Sequence, residues 1–69
     1  MEMQMNTQLI TEPNLSHTDD FYEALIDMHQ GLSEEQSHAV NARLILILAN
    51  HVGNMAILKQ AMEIARSAE

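Results

Sequence analysis

The chain has 69 residues, a formal net charge of −7 and no cysteine, with one phenylalanine and one tyrosine as its aromatic residues. That length allows a single small domain, and without cysteine neither disulfides nor thiolate-held metal can reinforce it. Ten carboxylates stand against Arg43, Lys59 and Arg66, which excludes nucleic acid, whose phosphates need several clustered cations, and disfavours an anionic membrane surface.

The opening "MEMQMNTQLITEP" has neither the basic nor the apolar region of a signal peptide. The longest run of large aliphatic residues, Leu44 to Leu48, falls far short of the ~20 residues that span a bilayer. A cytoplasmic location is the expectation. Residues 1–15 are polar, rich in methionine and broken by Pro13, which pushes Glu12 toward an extended conformation. They read as a mobile tail, with "QLIT" as the part able to lie against the domain or a neighbouring subunit.

The domain is expected over residues 16–69, beginning with a helix near Thr18 to Gln30. Ser16 or Thr18 can cap it, and Asp19, Asp20 and Glu23 sit where the helix dipole favours negative charge. Phe21, Leu25 and Met28 recur at helical spacing and form its apolar face. Gly31 can adopt the left-handed conformation that stops a helix, with Leu32 as the hydrophobic partner of a Schellman-type ending.

"SEEQ", Ser33 to Gln36, matches a capping box and starts a second helix expected near Glu34 to Val52. The branched run "LILIL" pulls toward strand, but it lacks alternation, has no partner strand in the chain and is set among alanines. Helix is therefore the reading. Gln36, Arg43 and Asn50 fall seven apart and line one narrow polar stripe, with Val40, Leu44, Ile47 and Leu48 on its flank. Five aliphatic residues in a row visit every side of a helix, so the apolar arc is wider than two modest neighbours can cover.

Gly53 suits a left-handed C-terminal stop and Asn54 an N-cap. The third helix is expected from Met55 to Ser67, with Leu58 and Met62 on its apolar face and Lys59, Gln60, Glu63 and Arg66 outward. The whole is an all-α, three-helix domain with short connections, assembled as a helical homodimer or higher symmetric oligomer. The expected interface comprises Val40, Leu44, Ile47, Leu48, Leu58 and Met62.

The segments "HQGLS", "NARL" and "LANHVG" together resemble a small bacterial family of unknown function. Its members share a His-x-Gly-Leu-Ser junction, Asn-Ala-Arg-Leu, an aliphatic run and Asn-His-(Ile or Val)-Gly. The resemblance spans about Asp19 to Arg66. It implies a bacterial cytoplasmic protein and offers a lead, no more, toward a larger enzyme, an oxidoreductase, as partner. It supplies no activity, cofactor or ligand.

A candidate polar site comprises His29, Asn41, Arg43, Asn50 and His51. His29 and His51 lie in the last turns of their helices, where a cation is favoured by the carbonyl end of the dipole, and that structural role needs no ligand. Metal ligation would want two histidines, or a histidine and a carboxylate, on one face. Asp27 and His29 point apart, and Glu34 and His38 sit in an exposed first turn. Arg43 either belongs to a solvated stripe or pairs with a carboxylate. Asn41 is a poor mid-helix residue and a candidate for bonding to a backbone end of a neighbouring helix or setting register. No catalytic, cofactor-binding or metal residue is assigned: the serines are accounted for by capping, and a chain this small offers little room for a cleft. A helix-turn-helix reading of "NHVGNMA" fails because its recognition helix would carry only Lys59 and Arg66.

These features favour a non-enzymatic interaction module that binds itself, a larger enzyme as an accessory or regulatory subunit, or both. The alternative is a small-ligand or metal-binding protein that uses histidines at helix ends.

Overall fold

A computed structural model describes residues 8–68. Among them are three helices and no strand: α1 (Thr18–Met28), α2 (Glu34–Val52) and α3 (Met55–Ser67). Met1 to Thr7, the first half of the expected tail, lie outside the described residues.

Helix α1 starts at Thr18 as expected, but its cap differs. Neither Ser16 nor Thr18 caps it; the cap position is His17, in the left-handed region at φ 57°, with no side-chain cap bond. The His17 carbonyl accepts from both Asp20 and Phe21 amides. Thr18 instead donates its hydroxyl to the Leu15 carbonyl at 3.2 Å, because it already belongs to the helix and its side chain turns back over the preceding turn. Asp19 and Asp20 then compensate the dipole.

Helix α1 also ends two residues before the expected Gln30. From His29 onward the amides reach back three residues rather than four, His29 to Ile26 and Gln30 to Asp27, which is the tightening typical of helix ends. Gly31, at φ 78°, occupies the third position of a turn closed by the Leu32 amide on the His29 carbonyl, at 3.2 Å. A positive φ there is the signature of a type II turn. This replaces the expected Schellman ending.

Helix α2 starts with the full capping box. The Gln36 amide donates to Ser33 Oγ at 3.1 Å, and the Ser33 amide donates to Gln36 Oε1 at 2.9 Å. It stops at Gly53, left-handed at φ 67°, whose amide bonds to the Ala49 carbonyl. Asn54 immediately caps α3, its Oδ1 accepting from the Ile57 amide at 3.1 Å. One residue terminates and the next initiates, so α2 and α3 form a tight corner.

Packing is sparse. Among the described residues α2 and α3 are the one pair of helices whose backbones approach closely, and over a small area. The segment before α1 reaches α3: the Leu9 amide donates to Gln60 Oε1 at 3.1 Å, and both residues are half-buried. Gln60, expected to face outward, is thus turned inward by a partner fifty-one residues away in sequence. No described residue is fully buried. The positions with partial cover include Leu25, Leu32, Val40, Leu44, Ala49, Ile57, Leu58 and Ala61, a shallow seam rather than a core.

The exposed area makes the same point. The chain exposes 6433 Å², whereas a folded monomer of 7.8 kDa exposes about 4,400 Å². The difference is about 2,000 Å².

Candidate interaction surface

Large apolar side chains are exposed on all three helices. On α2, Ile45, Leu48 and Val52 follow one another at three- and four-residue spacing, continuing from Asn41, and so share one face. They are 63%, 49% and 45% exposed. Leu46, at 69%, looks out from another side, and Ile47, at 65%, sits beside the Gln36-Arg43-Asn50 stripe. The run "LILIL" therefore shows aliphatic side chains around most of the helix, as consecutive positions at about 100° per residue must.

The expected interface residues divide into two groups. Val40, Leu44 and Leu58 are half-buried within the single chain, while Ile47, Leu48 and Met62 are exposed. Other large apolar residues, outside the expected interface set, are exposed as well: Ile45 and Leu46 on α2, Tyr22 and Ile26 on α1, and Met55 and Ile64 on α3. Met55 and Met62 are seven apart, a same-face spacing visible in the sequence. Tyr22 and Ile26 gave no such signal, because they flank the face formed by Phe21, Leu25 and Met28.

The polar set is only partly brought together. His29, just past α1, places Nδ1 2.8 Å from the Leu25 carbonyl and Nε2 3.0 Å from Asn41 Oδ1 on α2. This side-chain bond ties the end of α1 to α2. Asn41, the odd residue by helix propensity, meets the imidazole of His29 at the neighbouring helix end and not the backbone expected there. Both ring nitrogens of His29 have protein partners, so ligation of a metal there would first have to break one bond. Arg43, Asn50 and His51 are exposed, with Arg43 on the solvated stripe. Among the described residues no group of three His, Cys, Asp or Glu could hold a metal ion, no pocket is detected, and no helix is long and apolar enough to cross a membrane.

The chain matches the model of the family described as "Protein of unknown function (DUF2783)" over residues 9–67. The match begins ten residues before Asp19 and so takes in Leu9, which contacts α3. No curated protein and no solved structure is similar to the chain.

Proposed function

Because the chain belongs to the DUF2783 family, whose description assigns no activity, we propose its function from its surface: a non-enzymatic helical interaction module that assembles with a second copy of itself. The observation that carries this is the absence of any fully buried residue among those described, together with exposed aliphatic side chains on several sides of α2. Small domains without disulfides or metal gain the missing burial by oligomerising.

In this reading α2 lies at the centre of the contact, through Ile47, Leu48 and the face formed by Ile45, Leu48 and Val52, and α3 contributes Leu58 and Met62. An assembled dimer of this kind suits an accessory or regulatory subunit of a larger enzyme. The chemistry of the surface, exposed aliphatic side chains on α2 and α3, fits a protein partner and offers no reaction of its own.

Sedimentation equilibrium tests the reading. A mass of at least twice 7.8 kDa at micromolar concentration is expected. A folded species at the single-chain mass would overturn it.

A further inference from the structure

The charges of the chain are segregated. Six carboxylates, Asp19, Asp20, Glu23, Asp27, Glu34 and Glu35, occupy α1 and the first turn of α2, where there is no lysine or arginine. All three cations lie later, at Arg43, Lys59 and Arg66.

On α3, Met55, Lys59, Met62 and Arg66 fall four, seven and eleven residues apart and share one stripe, bordered by Glu63. Both methionines are more than three-fifths exposed. The stripe lies off the half-buried side of α3, which holds Ile57, Leu58 and Ala61. On α1, Asp19, Tyr22, Glu23 and Ile26 share a stripe at three-, four- and seven-residue spacing, with Asp27 adjoining. Tyr22 is 64% and Ile26 48% exposed. Each stripe mixes large apolar side chains with charge of one sign, and the two signs are opposite. Yet within one chain the backbones of α1 and α3 do not approach.

We propose that in the self-assembled protein the Asp19-Tyr22-Glu23-Ile26 stripe of α1 docks on the Met55-Lys59-Met62-Arg66 stripe of α3 from a second copy, reciprocally across a two-fold axis. This rests on the self-association proposed above and specifies its geometry. A two-fold contact requires that each surface be met by its complement on the partner. Here the acidic-apolar stripe and the cationic-apolar stripe are both carried by every copy, so one dimer forms the contact twice. Opposite charges at the rim fix the register and exclude the α1-on-α1 and α3-on-α3 alternatives.

Two charge-reversed variants separate this arrangement from other dimers. The variant Lys59→Glu/Arg66→Glu has a formal charge of −11 (−7 − 4), and Glu23→Lys/Asp27→Lys has −3 (−7 + 4). Net repulsion alone predicts that the −3 variant associates more tightly than the natural chain. The docking predicts the reverse, because the two introduced lysines would face Lys59 and Arg66 of the second copy: its dissociation constant should rise about tenfold or more, while an equimolar mixture of the two variants recovers natural affinity as a heterodimer.

An association by the −3 variant as tight as that of the natural chain, or a mixture no tighter than its parents, would overturn the docking and leave self-association standing. A natural chain that is itself monomeric would remove self-association first. Circular dichroism reports whether each variant stays helical. Should the −11 variant unfold, Lys59→Gln/Arg66→Gln replaces it: it should dimerise more weakly than the natural chain, and unchanged affinity would contradict the docking. Loss of helix in the variants at the natural mass would instead indicate that α1 and α3 meet within one chain.

Discussion

The imidazole of His29 bridges two helices: Nδ1 donates to the Leu25 carbonyl at 2.8 Å, and Nε2 lies 3.0 Å from Asn41 Oδ1. A ring carrying both protons donates to Oδ1 as drawn. A ring carrying one proton accepts at Nε2 from the amide group of Asn41, rotated by half a turn. An asparagine therefore serves either form, where an aspartate or a leucine would not. Beyond the turn at Gly31, this bond ties the end of α1 to α2. Asn41→Leu should release it, at a cost of about 0.5–1.5 kcal/mol. Hydrogen exchange across Thr18–Met28 should accelerate accordingly while α2 and α3 keep their protection; unchanged exchange in α1 would show that the tie is idle.

His17 stands at φ 57°, a conformation that costs an L-residue roughly 1–2 kcal/mol and a glycine almost nothing. His17→Gly should therefore stabilise the protein by up to about 1 kcal/mol, read as a rise in the denaturant midpoint. A loss of stability would mean that the imidazole has a role its left-handed backbone does not reveal.

Gly53 presents the opposite case. A Cβ there would meet only the Asn50 carbonyl oxygen, at an ordinary 3.7 Å, so the cost of Gly53→Ala is the backbone's alone. About 1 kcal/mol of destabilisation is expected, with Gly53→Asn milder because asparagine tolerates this conformation better. Equal losses in both variants would argue for crowding instead. At the other end of α2, Ser33→Ala removes one half of the capping box and should cost about 1 kcal/mol.

Much of this architecture is legible in the sequence because its signals are local. Ser33 and Gln36, Gly53 and Asn54 each act within a few residues, and the limits of α2 and α3 follow from them. The start of α1 at Thr18 was legible but its cap was not: two good capping residues were present, and the backbone used His17 instead. Nor was the inward turn of Gln60, since its partner Leu9 is remote in sequence and no periodic pattern connects them. The surface was legible in kind but not in detail. A helix with five aliphatic residues in succession must expose some of them, but which ones depends on how shallowly α1 and α3 cover α2.

That shallowness makes Ile47→Asp informative. In a lone chain, a residue already 65% exposed should accept a charge with a change within about 0.5 kcal/mol. In an assembly centred on α2 the same aspartate would be buried among aliphatic groups, and dissociation with loss of helix should follow. Light scattering and circular dichroism on one sample distinguish the two.

The central claim is that this fold is completed by a second copy, and the dependence of its melting temperature on protein concentration tests that claim most directly. When association stabilises the native state, dilution must lower the transition by mass action. The account predicts a melting temperature that climbs steadily across the micromolar range. A cooperative transition at the same temperature at every concentration, from a species of single-chain mass, would contradict it.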